Sequence, residues 1–145
     1  MQIKTWKNFN ESIYWGSRAA GILPYCSNTK RFMVGLRSDF VLEPNTYGLF
    51  GGKFDNNEDS AEMVALREFK EETNFDGKIN LKLLYKFEDV NFVYYNFLGI
   101  LEEEFIPDLN WENDEYLWLT YDELVRLDKK HFGLEKLMKY IPKNI

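Results

Sequence analysis

Three glutamates, Glu68, Glu71 and Glu72, follow a glycine pair and an acidic loop within one short stretch of the chain. Carboxylates three and four residues apart on a helix repel each other, and anions near a helix C-terminus oppose its macrodipole. A divalent cation would offset both costs. Oxygen ligands select hard ions, and Mg²⁺ is usually held by a few carboxylates together with waters and substrate phosphates. The pattern therefore predicts Mg²⁺ or Mn²⁺ as the cofactor and a phosphate compound as the substrate.

A helix is expected to carry these glutamates. Ser60 is a suitable N-cap, the next residues favour a helix, and Asn74 tolerates the left-handed conformation that often ends one. We expect this helix over roughly residues 61–73 and place the glutamates on the side opposite its core face. The predicted core face is apolar and consists of Met63, Ala65, Leu66 and Phe69. Glutamate pairs on helices are usually only solvated, so the cluster alone is weak evidence of a site.

The spacing around the cluster resembles the Nudix box. That pattern has a glycine, five residues, a glutamate, seven residues, Arg-Glu, an apolar residue, any residue, Glu-Glu, any residue, a glycine and an apolar residue. Residues 52–75 follow this order, beginning at Gly52. They depart from it twice, because eight residues separate Glu58 from Arg67 and because Asn74 replaces the last glycine. Neither departure removes one of the three glutamates.

The extra residue leaves two candidates for the loop carboxylate of the box. Glu58 keeps the distance from Gly52, whereas Asp59 keeps the distance to Arg67. In the family this carboxylate supports the arginine, so the resemblance places Arg67 in the catalytic set as a supporting residue rather than as a substrate contact. We prefer Glu58, and Asp59 stays open as the alternative.

The resemblance also implies a loop glutamate ahead of a tryptophan-bearing strand, which serves as a metal ligand or general base. Glu112, six residues before Trp118, fits this position best, and Glu115 is the alternative. The acidic run over residues 102–104 is a reserve candidate. The implied metal ligands are Glu68, Glu71, Glu72 and Glu112, of which Glu68 and Glu112 are also the candidate catalytic groups.

The glycine pair before the box is the candidate phosphate-binding segment. Glycine allows unusual backbone conformations and a close approach of the backbone to a ligand or another strand. The residues assigned to phosphate binding are Gly51, Gly52 and Lys53.

The composition fits one globular domain over residues 1–145, since 45% of the chain is apolar and 17% aromatic. A net charge of −6 argues against stable binding to nucleic acid. The single cysteine, the lack of a signal-like N-terminus and the lack of an apolar run of roughly 20 residues indicate a cytoplasmic protein that binds no membrane. The aromatic segment 1–17 is expected to pack on the core or, alternatively, on a homodimer partner.

Further elements complete an α+β fold. The pattern predicts a hairpin of strands over 18–25 and 30–37, a loop and short strand over 38–50, and strands over 78–87 and 90–101. Thr120 and Glu123 have capping-box spacing, and apolar residues over 131–141 have helical spacing that ends before Pro142. The resemblance, which covers about residues 18–141, implies a three-layer α/β/α sandwich around a mixed sheet.

The resemblance implies a Nudix hydrolase, a divalent-metal-dependent pyrophosphohydrolase. Its small-molecule substrate would be a nucleoside diphosphate linked to another group, such as a nucleoside triphosphate, a dinucleoside polyphosphate or a nucleotide sugar. The alternative is a non-catalytic nucleotide-binding or regulatory domain, which would need lost ligands. An isomerase of isoprenoid diphosphates would usually need a catalytic cysteine, and Cys26 lies far ahead of the box.

Overall fold

The computed structural model describes residues 17–145 and arranges them as strands, three helices and one 3₁₀ turn. The strands are β1 (Ser17–Cys26), β2 (Arg31–Arg37), β3 (Tyr47–Gly48), β4 (Phe50–Lys53), β5 (Asn80–Asp89), β6 (Phe92–Leu101) and β7 (Asn113–Thr120). The helices are α1 (Ala61–Thr73), α2 (Tyr121–Arg126) and α3 (Phe132–Leu137), and the 3₁₀ turn is Met138–Tyr140. The predicted packing of the aromatic N-terminal segment falls on residues outside this range.

Strand β1 is the centre of a seven-stranded mixed sheet. It pairs in parallel with β6 along its whole length, from Ser17 opposite Phe92 to Cys26 opposite Leu101. All the other strand pairings of the described residues are antiparallel. The second edge of β1 is divided, because Ala19–Ile22 pair with β4 while only Tyr25 and Cys26 pair with β2. The predicted β1–β2 hairpin therefore forms, but its strands diverge, and β2 continues against β7 and β3.

The sheet separates two apolar layers. Alternating side chains send Ile22, Met33 and Phe97 towards α1, and Leu23, Val34 and Leu98 towards α2 and α3. On the first face Phe69 of α1 packs edge-on against Phe50, with ring centroids 5.7 Å apart. The predicted α+β class and three-layer arrangement are confirmed.

Local capping sets the ends of α1 and α2. The Ser60 hydroxyl accepts from the Met63 N–H at 3.3 Å, and Asn74 ends α1 in the left-handed region at φ 59°. Thr120 and Glu123 form the predicted reciprocal capping box at the start of α2. The predicted C-terminal helix is shorter than expected, because α3 begins after its N-cap His131 and gives way to the 3₁₀ turn at Met138.

The predicted division of α1 into a core side and a glutamate side is partly wrong. Met63 is 62% exposed, whereas Glu72 is only 3% exposed. Seven residues turn a helix through about 700°, which is roughly 20° short of two full turns, so Glu72 lies beside Ala65 on the core face. The glutamates therefore run from the exposed flank at Glu71 into the protein interior.

Phe69 and Met63 provide a matched test of this orientation. We expect Phe69→Ala to lower the free energy of unfolding by about 3–5 kcal/mol, since it leaves a cavity beneath α1. Met63→Ala, on the exposed side of the same helix, should change it by less than about 0.5 kcal/mol. Urea unfolding measures both values, and equal losses would contradict the orientation of α1.

Candidate active site

The loop before α1 is joined to the helix through Glu58 and Arg67. The Glu58 carboxylate accepts from Arg67 Nε at 2.9 Å and from Nη2 at 2.7 Å. It also accepts the Asp55 N–H at 2.7 Å. The hydrogen bond from Arg67, and then that from Asp55, lower the pKa of Glu58 to about 2. In the described chain Asp59 makes no contact with Arg67, so the geometry supports Glu58 as the box carboxylate and places the extra residue just before the N-cap.

Arg67 uses its whole guanidinium group within the protein. Besides Glu58, Nη1 donates to Glu68 at 3.2 Å and to Glu71 at 3.1 Å, and Nη2 donates to the Lys53 carbonyl at 3.0 Å. Guanidinium has five N–H donors, and these contacts account for all five. Arg67 is therefore placed to hold the loop, β4 and α1 together, and it has no donor left for a substrate.

The glycine pair on β4 makes room for side chains of the protein itself. A Cβ atom at Gly52 would overlap the carboxylate of Glu68, and one at Gly51 would lie 2.5 Å from the Tyr94 hydroxyl. Both residues must therefore lack a side chain for the site to form. Lys53 is exposed, and the role of these three residues in phosphate binding stays a prediction.

Glu72 is a carboxylate enclosed in the core. Its Oε1 accepts from Asn113 Nδ2 at 3.3 Å, whereas Oε2 has no hydrogen-bond partner among the described residues. Burial, followed by the charges of Glu112 and Glu68, raises its pKa well above the usual value. An orphaned carboxylate oxygen beside two further carboxylates has the chemistry of a cation ligand.

Glu112 lies in a loop that is fastened to the end of α1. The Asn110 N–H donates to the Glu72 carbonyl at 3.1 Å, and the Asn110 side chain bonds both the backbone N–H and the carboxylate of Glu112. Glu112 consequently lines the same cleft as Glu68 and Glu71. Glu115, the alternative, is exposed on β7 opposite Leu36 and does not line that cleft. In the reserve run, Glu104 pairs with Arg31 instead.

Glu68 and Glu71 differ in their surroundings. The Glu68 side chain is 12% exposed, and that of Glu71 is 52% exposed. Burial, and then the neighbouring Glu71, raise the pKa of Glu68 to about 8. Over residues 17–145 no group of three His, Cys, Asp or Glu side chains is arranged as a ready-made metal site. The donor set still fits Mg²⁺ or Mn²⁺, since Mg²⁺ takes one or two carboxylates and completes its shell with water and phosphate.

Two cleft residues, Arg37 and Tyr94, were not singled out as site residues from the sequence. Arg37 follows an irregularity in the β2–β7 pairing, and its Nε donates to the Leu42 carbonyl at 2.7 Å. Its two terminal nitrogens have no hydrogen-bond partner in the described range. Burial lowers the pKa of Arg37, whereas burial raises that of Tyr94. The register irregularity beside Arg37 leaves no reliable signal in the sequence, so sequence reasoning did not place this side chain in the cleft.

Glu68, Glu71, Glu112, Arg37 and Tyr94 line one cleft of about 890 Å³. Further aromatic side chains of β5, β6 and α3 line the same cleft, whereas Glu72 is enclosed behind it. The volume is within the range of about 300–1,000 Å³ that small-molecule sites occupy. His131 on the cleft wall caps α3 by accepting the Gly133 N–H at 3.0 Å, and burial, followed by the charge of Arg37, lowers its pKa to about 3.

Comparison with known proteins agrees with the fold. A family model of the NUDIX domain matches residues 17–141, so the chain belongs to this family. It is thus a hydrolase that acts on acid anhydrides in phosphorus-containing compounds. No curated protein matches the sequence. No helix among the described residues is long and apolar enough to cross a membrane.

Solved structures share the fold at low sequence identity. The dihydroneopterin triphosphate pyrophosphohydrolase of E. coli is 20% identical, with a TM-score of 0.70 over 88% of this chain and 96% of that chain. An Ap4A hydrolase of C. elegans is 20% identical, with a TM-score of 0.67 over 83% and 92% of the two chains. A MutT protein of Methanosarcina mazei Go1 is 19% identical, with a TM-score of 0.65 over 85% and 91%.

The ion pair of Glu58 can be tested through pH. Because its pKa is about 2 in the folded protein, below the usual 4.5, its stabilisation is present above pH 4.5 and is lost as the pH falls towards 2. We expect Glu58→Gln to lower the melting temperature at pH 7 and the deficit to shrink below pH 4.5. Asp59→Asn should leave the melting temperature unchanged. A larger loss from Asp59→Asn would assign the box carboxylate to Asp59.

Proposed function

We propose that the protein is a divalent-metal-dependent pyrophosphohydrolase. Its substrates would be nucleoside diphosphates joined to another group: nucleoside triphosphates, dinucleoside polyphosphates or nucleotide sugars. The observation that carries this proposal is the buried Glu72 with its unpaired Oε2 beside Glu68 and Glu112. The similar structures from E. coli and C. elegans, a dihydroneopterin triphosphate pyrophosphohydrolase and an Ap4A hydrolase, support the substrate class.

The carboxylates would hold the metal and direct the water. Glu68, Glu71, Glu72 and Glu112 are the proposed ligands. A bound Mg²⁺ or Mn²⁺ would neutralise charge on the phosphate oxygens during attack by water. Glu71 can turn towards the metal ion without disrupting the fold, because its side chain is half exposed. The hydrogen bonds of Arg67 to Glu58 and to the Lys53 carbonyl would remain.

A carboxylate of this cluster would accept the proton of the attacking water. Glu112 is the proposed base, since Asn110 fixes its backbone and carboxylate at the cleft. Glu68 is the alternative, because its carboxylate lies in the same cleft, against Gly52. The water oxygen bonds to phosphorus, the bridging P–O bond breaks, and the leaving phosphate departs with the electron pair.

Arg37, which lines the cleft, would bind the phosphate oxygens. Its terminal nitrogens are unpaired in the described chain, unlike those of Arg67, and a guanidinium matches phosphate geometry through paired N–H groups. Tyr94 can donate its hydroxyl from the cleft floor above Gly51. The non-catalytic alternative would require lost ligands, and all four proposed carboxylates are present.

Hydrolysis can be tested directly with a panel of nucleoside triphosphates, dinucleoside polyphosphates and nucleotide sugars. With millimolar Mg²⁺ or Mn²⁺, at least one class should release a nucleoside monophosphate, and chelation should abolish release. Glu72→Gln should lower kcat by about a hundredfold or more, since the ion loses a ligand while the side chain keeps its size. Metal-independent turnover, or normal turnover in a folded Glu72→Gln variant, would contradict the metal assignment.

The melting temperature separates metal binding from catalysis in the same variant. Metal should stabilise the wild type by about 2.7 kcal/mol when its concentration is a hundred times Kd. Glu72→Gln should lose this increase. Without metal the variant should be at least as stable as the wild type at neutral pH, because glutamine avoids the cost of burying or protonating a carboxylate.

Glu112 and Glu115 give a matched pair for the general base. Proton transfer by a positioned group typically contributes about 10²- to 10⁴-fold, so Glu112→Gln should lower kcat by that factor. Glu115→Gln, three residues away on the exposed side of β7, should lower it by less than about tenfold. If Glu115→Gln is the damaged variant, the assignment is wrong; if neither is damaged, Glu68 becomes the candidate.

A further inference from the structure

A buried asparagine holds one oxygen of the enclosed Glu72 carboxylate. Asn113 is the first residue of β7 and is 7% exposed. Its Nδ2 donates to Glu72 Oε1 at 3.3 Å, and within residues 17–145 this is the only hydrogen bond of its side chain. Glu72 Oε2 has no partner in the same range. The two oxygens of the carboxylate therefore differ, since one is held by the protein and the other is unpaired.

Strand pairing alone does not explain an asparagine at this position. In the β2–β7 ladder Asn113 lies opposite Arg37, beyond a register shift between Leu36 and Arg37. The ladder uses main-chain groups, so it does not require an amide side chain here. Asparagine is depleted in strands, and a buried polar side chain is tolerated only when it is hydrogen-bonded. The contact with Glu72 is the feature that accounts for this residue type.

A glycine on β2 makes room for the amide. A Cβ atom at Gly35 would lie 2.6 Å from Asn113 Oδ1 and 2.9 Å from Phe50 Cε1. Glycine inside a strand weakens it, because the residue loses more conformational freedom on folding and packs no side chain. The arrangement thus favours the placement of the Asn113 amide over the stability of β2.

The turn that carries Asn113 also holds the backbone of Glu72. The Asn110 N–H donates to the Glu72 carbonyl at 3.1 Å, and the Asn113 N–H donates to the Asn110 carbonyl at 3.4 Å. Residues 110–113 therefore bond both the main chain and the side chain of Glu72. Glu112, another of the proposed ligands, belongs to the same turn.

A neutral donor suits a carboxylate that binds a cation. A lysine or arginine at Oε1 would neutralise the charge that attracts the metal, whereas an amide satisfies the oxygen and leaves that charge in place. The hydrogen bond also restricts the rotation of the carboxylate before the ion arrives. Partners of this kind orient metal ligands, and their loss typically lowers metal affinity by about 10- to 100-fold.

We propose that Asn113 is a positioning residue of the metal site: its amide holds Oε1 of Glu72 and so keeps Oε2 available to the cation. Asn113 acts through Glu72 and does not itself bind the metal or the substrate. The inference rests on the proposed function and deepens it, because it assigns the orientation of one proposed ligand to a single further residue.

Titration with Mn²⁺ tests this role without substrate or turnover. Electron paramagnetic resonance measures the free ion, and Asn113→Leu removes the donor while it keeps a side chain of similar shape. We expect Asn113→Leu to raise the Kd for Mn²⁺ by about tenfold or more. Asn96→Leu is the matched control, since Asn96 is also 7% exposed and its amide donates only to the backbone carbonyls of Tyr85 and Tyr94. This control should bind Mn²⁺ as the wild type does.

A double-mutant cycle shows whether Asn113 acts through Glu72. In a Glu72→Gln background, Asn113→Leu should cause no further loss of Mn²⁺ affinity, because the carboxylate that it orients is already absent. An unchanged Kd in Asn113→Leu, equal losses in both backgrounds, or equal losses in Asn113→Leu and Asn96→Leu would each overturn the assignment. If Glu72→Gln binds Mn²⁺ too weakly to measure, the comparison with Asn96→Leu decides. Asn113→Val removes the donor with a smaller side chain and takes the place of Asn113→Leu if that variant does not fold.

The outcome is separable from that of the proposed function. Mn²⁺ binding that weakens in Asn113→Leu, in a protein whose wild type hydrolyses no diphosphate, would retain the positioning role and reject the reaction. Metal-dependent hydrolysis together with an equal Kd for Mn²⁺ in the wild type and in Asn113→Leu would retain the reaction and reject the positioning role. A wild type that binds no Mn²⁺ would reject both.

Discussion

The arrangement of the site depends on one enclosed carboxylate. Glu72 is 3% exposed and has an unpaired oxygen, in the last turn of a helix where the macrodipole also disfavours an anion. Glu112 and Glu68 add repulsion. Well-packed apolar residues would make a more stable helix end, because desolvating a charge commonly costs more than its interactions return. The chain nevertheless bonds the 108–110 loop to the carbonyls of Glu72 and Thr73, which brings a further carboxylate closer. Such a concentration of negative charge is consistent with a site that is completed by a cation.

Two arginines divide the positive charge of the site between structure and ligand. Arg67 spends all five donors on Glu58, Glu68, Glu71 and the Lys53 carbonyl, so it stiffens the loop and β4 against α1. Among residues 17–145, Arg37 is hydrogen-bonded only through Nε, and its side chain lines the cleft. Replacing either arginine by lysine would not preserve its role, since an ammonium group cannot reach the same set of acceptors as a guanidinium. Arg67, which stabilises the fold, is thus separate from Arg37, which is available to bind phosphate.

The features predicted correctly from the sequence are mostly local. Ser60, Asn74 and the Thr120–Glu123 box act within one turn of backbone, and their caps form as expected. The burial of Glu72 was not predicted. Its distance of seven residues from Ala65 places it on the core face, but its acidic side chain suggested a solvated face. Arg37 was beyond sequence reasoning, because its place in the cleft depends on long-range strand pairing that includes a register shift between Leu36 and Arg37. Counting residues gave only a preference for Glu58 over Asp59, and in the structure Glu58 is the one that accepts from Arg67.

The polarity of the cleft makes ligand binding depend on the metal. Carboxylates crowd the end where a diphosphate would react, and the whole chain carries a net charge of −6. A polyphosphate entering without a cation would meet like charge in a partly desolvated space, where Coulomb repulsion is stronger than in water. Arg37 supplies one positive charge towards this region, fewer than the carboxylates around it. The affinity for a polyphosphate should therefore depend on the metal.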